Sequence, residues 1–72
     1  MNNLNVAKIQ LNGDPYEVIN GTNLNELLNK LKLQKNKIAI EVNGEIIEKS
    51  KYPNLILRRD DKVEVVHFIG GG

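Results

Sequence analysis

Cysteine and tryptophan are absent from these 72 residues, and serine and histidine occur once each, as Ser50 and His67. Without cysteine there is no disulfide, no thiolate metal site and no thiol nucleophile, a composition that fits a reducing compartment. A hydrolytic triad would have to be built from Ser50, His67 and an acid such as Asp61, and their spacing gives it no support. One histidine among scattered carboxylates offers no metal-ligand pattern, so no metal site is expected. Ten basic and nine acidic residues leave a formal charge of +1, which is no electrostatic footprint for nucleic acid. Tyr16, Tyr52 and Phe68 are the only aromatic residues, too few for a base-stacking platform. Lys30, Lys32, Lys35 and Lys37 cluster but are diluted by Asn29, Gln34 and Asn36, as in a solvated loop. Met1 to Asn5 lacks a positive region followed by an apolar stretch, and no apolar run reaches membrane-spanning length. A soluble cytoplasmic protein without membrane contacts is the expectation.

What is present is one small domain's worth of alternating and helical patterns, without repeats or linkers. Ala7, Ile9 and Leu11 alternate with Lys8 and Gln10 in a first strand, Val6 to Leu11. Asn12-Gly13 accepts the positive φ angles of a tight hairpin, Asp14-Pro15 extends that turn, and Tyr16 to Ile19 returns as a second strand. After Asn20-Gly21, Thr22 and Asn23 are equally good helix caps, and Asn23 with Glu26 has capping-box spacing. Leu24, Leu27, Leu28 and Leu31 then fall at i, i+3, i+4 and i+7, one apolar stripe of a short helix.

Ile38 to Val42 forms a third strand, with Ile38, Ile40 and Val42 on one face and Ala39 and Glu41 on the other. Asn43-Gly44 marks a second hairpin, and Glu45 to Glu48 a short fourth strand. Ser50 to Asn54, which includes Pro53, is either irregular or a single helical turn, and Leu55-Ile56-Leu57 packs beneath the sheet. Arg58 to Lys62 is a polar turn, and Val63 to Ile69 the last strand. One helix has to cover one face of a single mixed sheet, because nothing else can bury its leucines. The expected class is α+β: a β-grasp (ubiquitin-like) domain over residues 1–69, with about five strands and the first and last side by side at its centre. Residues 70–72 are expected to form a flexible glycine tail.

Gly70-Gly71-Gly72 follows the apolar strand directly, without a polar spacer. The glycines have no helix after them, so they cannot cradle phosphate as a strand-loop-helix motif does. A bare glycine stalk can instead carry its α-carboxylate into a narrow enzyme channel, adopting backbone angles closed to other residues. An ionised carboxylate is a weak electrophile. Attack of Gly72 on the α-phosphate of ATP would make it an acyl-adenylate, from which a sulfide equivalent could displace AMP to leave a thiocarboxylate. That sulfur would sit on the backbone and need no cysteine. Two readings of the last strand are open. If Val63 and Val65 face the helix, then Glu64, Val66 and Phe68 form an exposed patch beside the tail, a partner contact; alternatively a local twist or bulge buries Phe68.

The stretches Ile38-Ala39-Ile40-Glu41-Val42-Asn43-Gly44-Glu45-Ile46-Ile47 and Val63-Glu64-Val65-Val66-His67-Phe68-Ile69-Gly70-Gly71-Gly72 resemble the ThiS family of thiamine-biosynthesis sulfur carriers. Gly21-Thr22 and Leu27-Leu28 match as well, so the resemblance covers nearly the whole chain. One departure stands in the turn before the last strand, where the family's Gly-Asp is Asp60-Asp61. Asp tolerates left-handed backbone better than most residues. The resemblance implies a carrier without catalytic residues or a permanently bound cofactor. An E1-like adenylating enzyme would activate Gly72 with ATP and magnesium, and a cysteine desulfurase or persulfide relay would supply sulfur. Thiazole synthase would then take it for the thiazole ring of thiamine. Sulfur delivery to molybdopterin, conjugation of Gly72 to target lysines, and a plain interaction module are the alternatives.

Overall fold

The computed structural model describes residues 5–68. Strands β1 (Val6–Leu11) and β2 (Asp14–Ile19) form an antiparallel hairpin. Its turn is Asn12-Gly13 alone, with φ of 51° and 88°, the doubly left-handed turn whose twist matches the strands it joins. Asp14 and Pro15, expected in the turn, therefore belong to β2. Pro15 lies opposite Gln10 on an edge strand, where a missing N–H costs no ladder bond.

Helix α1 (Leu24–Leu31) starts at Asn23. The Asn23 side chain accepts from the Glu26 N–H at 2.8 Å, and the Glu26 carboxylate accepts from the Asn23 N–H at 2.9 Å. Thr22, the other candidate cap, instead donates its hydroxyl to the Ile19 carbonyl at 2.6 Å and closes the preceding turn. The helix ends at Lys32 in left-handed conformation, φ 59°. Leu24, Leu27 and Leu28 are fully buried, each contributing about 1.5–3 kcal/mol by leaving water.

A 3-10 turn (Lys35–Lys37) leads into β3 (Ile38–Val42). β4 is only Glu45–Ile46, shorter than the expected Glu45 to Glu48. The Ile47 N–H still reaches the Ile40 carbonyl at 3.0 Å, after which the chain leaves the sheet for a 3-10 helix, Lys49–Asn54. That helix brings Tyr52 into the core, fully buried. The following segment pins the start of α1: Leu24 N–H donates to the Leu55 carbonyl and Leu57 N–H to the Thr22 carbonyl.

β5 (Lys62–His67) completes a five-stranded sheet in the order β2-β1-β5-β3-β4. It runs parallel to β1 and antiparallel to β3, so the last strand is the central one. The helix covers one face, where Ala7, Ile9, Val18, Ile38, Ile40, Val42 and Val63 meet Leu24, Leu27, Leu28, Tyr52 and Leu57. Asp60 has φ 71°, so the departure from Gly-Asp leaves the left-handed turn in place.

Candidate functional site

Strand alternation places Lys62, Glu64 and Val66 of β5, and Phe68 one residue beyond it, on the face away from α1, because Val63 is fully buried on the other. Val66 is 50% exposed and Phe68 57% exposed, so no bulge turns Phe68 into the core. Ala39 lies opposite Val66, Glu41 opposite Glu64 on β3, and Ile46 of β4 opposite Glu41. Ile46 is 69% exposed. Together these side chains make a mostly apolar strip across the open face.

The strip has a rigid base. The Phe68 N–H donates to the Lys37 carbonyl at 3.0 Å, which holds the β5 backbone against β3 one residue past the strand. The Lys49 ammonium sits 5.2 Å from the centre of the Phe68 ring, an attraction between a cation and the negative ring face. At the other end of β5, Asn12 accepts from the Val65 N–H at 2.8 Å and Asn43 accepts from the Lys62 N–H at 2.9 Å. Asn43 also donates its side-chain amide to Asp61, whose second oxygen accepts from the Arg58 N–H. Three loops are thereby tied to the strand that carries the strip.

Of the residues singled out from sequence, Glu64, Val66 and Phe68 are brought together on this face. Gly70, Gly71 and Gly72 lie outside the described residues. Glu41, Ile46 and Lys49 were not among the expected contact residues. Alternation put Glu41 on the face away from the helix, but its neighbour across the sheet depends on register, which no local pattern displays. The side-chain roles of Asn12 and Asn43 were hidden in the same way, since both look like turn formers and nothing more.

Other regions offer less chemistry. A shallow depression of 350 Å³ lies beside Ile19, Thr22, Glu26 and Lys30, at the opposite end of the sheet from Phe68. Its lining is the edge of β2 and the outer side of α1. Among the described residues, no three His, Asp or Glu side chains gather as a metal-binding group. No described helix is long and apolar enough to cross a membrane.

A mixed sheet clasping one helix, with a parallel pairing of first and last strands and one open face, defines the ubiquitin-like β-grasp class. A sequence model of the ThiS family matches residues 9–72, and the chain belongs to that family. It resembles the sulfur carrier protein ThiS of Bacillus subtilis, with 37% identity over 65 residues, 89% of this chain and 98% of that protein. The crystal structure of a thiamine biosynthesis protein (ThiS) from Geobacter metallireducens superposes with a TM-score of 0.79 at 34% identity, covering 90% of this chain and 99% of that one. A thiazole synthase of Magnetococcus marinus is 45% identical over 65 residues, 90% of this chain, but the chain spans only 20% of that protein.

Proposed function

We propose that this chain is a sulfur carrier of thiamine biosynthesis, a co-substrate with no catalytic residues of its own, which bears sulfur as a thiocarboxylate on Gly72. The observation that carries the reading is the family match, which runs through residue 72 and so includes the glycine run. In the first step a Gly72 carboxylate oxygen attacks the α-phosphorus of ATP, with magnesium, on an E1-like adenylating enzyme. Pyrophosphate leaves and an acyl-adenylate forms. Sulfur from cysteine, relayed as a desulfurase persulfide and released at the sulfide level by a thiol reductant, displaces AMP. Thiazole synthase then takes the sulfur into the thiazole ring, and the carboxylate returns for another cycle.

Each feature of the sequence has a place in this scheme. Glycines at 70 and 71 let the stalk pass through two successive active sites that a Cβ would obstruct. The exposed Val66 and Phe68, with Glu64, form the docking face that both enzymes use, because contiguous apolar surface of this kind marks partner contacts.

The test is an intact-mass measurement after co-expression with the adenylating enzyme and a sulfur donor. The expected mass rises by the difference between one sulfur and one oxygen atom, and the rise is lost on deleting Gly72 while thermal unfolding is unchanged. An unaltered mass in the complete system refutes the carrier reading. Ladders of higher-mass conjugates that depend on Gly72 would indicate a protein modifier instead, and rescue of a molybdenum-cofactor rather than a thiamine auxotroph would indicate the other sulfur pathway.

A further inference from the structure

The open face of β3 and β5 is a series of rungs. Phe68 is bonded to Lys37, Val66 faces Ala39, and Glu64 faces Glu41. The third rung is the anomaly, since two like charges directly opposite each other on adjacent strands repel. Among the described residues no ion pair relieves it. The ion pairs among the described residues are Lys51 with Glu48 and Arg59 with Asp60, so neither Glu41 nor Glu64 has a cation partner. Lys62, two residues before Glu64 on the same face, pairs with neither. The carboxylates are also framed by apolar side chains, Ile46 beyond Glu41 on one side and the Ala39–Val66 rung with Phe68 on the other. A surface that covers Val66, Phe68 and Ile46 must therefore cover the carboxylate pair too, and would have to supply positive charge there.

We propose that Glu41 and Glu64 form the charge-reading element of the docking face, and that its occupant is a patch on thiazole synthase presenting an arginine or lysine ringed by apolar side chains. The inference rests on the sulfur-carrier reading. Thiazole synthase is favoured as occupant because a stretch 45% identical to this chain makes up 20% of a protein bearing that name, so that a domain like this one is covalently joined to the rest of that protein. A guanidinium suits the chemistry: it carries a fixed charge and several donors for carboxylate oxygens, and its attraction to them strengthens as apolar contact excludes water. The cation relieves a repulsion that the free protein has to tolerate. Recognition is then by charge at one rung and by apolar contact at the next two, and a neutral or acidic patch is rejected.

The experiment measures binding of the purified chain to thiazole synthase from the same organism, at low and high salt, beside the intact-mass assay. The Glu41→Gln/Glu64→Gln double variant is expected to bind about tenfold more weakly at low salt, with a flatter salt dependence, and to unfold at a temperature no lower than the wild type. A Glu26→Gln/Glu45→Gln variant, with the same change in net charge on the helix side of the sheet, is expected to bind like the wild type. Equal affinity of the Glu41/Glu64 variant at every salt concentration overturns the proposal, as does an equal loss in the Glu26/Glu45 variant. So does salt-sensitive self-association of the wild type that only the Glu41/Glu64 variant abolishes, which would make a second copy the occupant. If the wild type acquires sulfur yet the Glu41/Glu64 variant binds normally, the carboxylate proposal falls and the carrier function stands. If the wild type neither acquires sulfur nor binds, both fall.

Discussion

Asn12 Oδ1 accepts a hydrogen bond from the Val65 N–H at 2.8 Å, joining residues 53 apart in the chain. β1 pairs with β5 only at Gln10 with Lys62 and Leu11 with Val63, after which β1 turns away. The Asn12 side chain takes up the ladder where the backbone leaves it, and its left-handed φ of 51° lets one residue do both jobs.

Asn12→Gly and Asn12→Ala separate those two contributions. Glycine keeps the left-handed turn and loses the bond to Val65, a cost of about 1 kcal/mol. Alanine also has to hold a positive φ, which adds about 1–2 kcal/mol. Urea unfolding of both variants checks this, with alanine expected to be the less stable.

The helix cap has a simpler test. Asn23→Ala removes the acceptor for the Glu26 N–H and is expected to cost about 1 kcal/mol. Thr22→Ala loses a bond of the preceding turn but leaves the cap in place, so its effect should be smaller. Thermal unfolding of the two variants ranks them.

Tyr52 is fully buried, and its hydroxyl has no well-formed hydrogen bond. Burial pushes its pKa above the ordinary 10.0, partly offset by the backbone of Ile40. The unfolded chain therefore releases this proton first, and between the two pKa values the native state binds more protons. Stability from this group is intact below pH 10.0 and is lost as pH rises from there through the native pKa. Tyr52→Phe should remove that component of alkaline unfolding at little cost near neutrality, since the hydroxyl gains little where it lies. Denaturant midpoints of both proteins across alkaline pH measure the difference.

Phe68→Ala and Val66→Asp test the proposed docking role of the apolar strip. Both side chains are more than half or half exposed, so unfolding temperatures should shift little, whereas sulfur loading of Gly72 by the adenylating enzyme should slow several-fold or more. Loading at the wild-type rate in both variants would remove the strip from the carrier's function.

Most of the fold was legible because its signals are local. The leucine stripe of α1, the two Asn-Gly turns and the alternation of β1, β3 and β5 each follow from a few neighbouring residues, and the structure has them where those residues stand. The boundaries that moved did so for tertiary reasons. Asp14-Pro15 joined a strand because the edge of a sheet tolerates proline, and β4 stopped at Ile46 because the next helix draws Tyr52 into the core. Whether Phe68 faced solvent was undetermined by sequence, since a strand residue after the last alternation can turn either way. Its bond to Lys37 settled that by keeping the β3 register one residue further.

The glycine run, the absence of cysteine, and the covering of one sheet face by one helix were determined by the order of residues alone, because composition and periodicity do not depend on which strands meet. The neighbours across the sheet were not. That Glu41 lies against Glu64, and Asn12 beneath Val65, was decided only when β5 inserted between β1 and β3, for register is fixed by packing the whole core and not by any one strand.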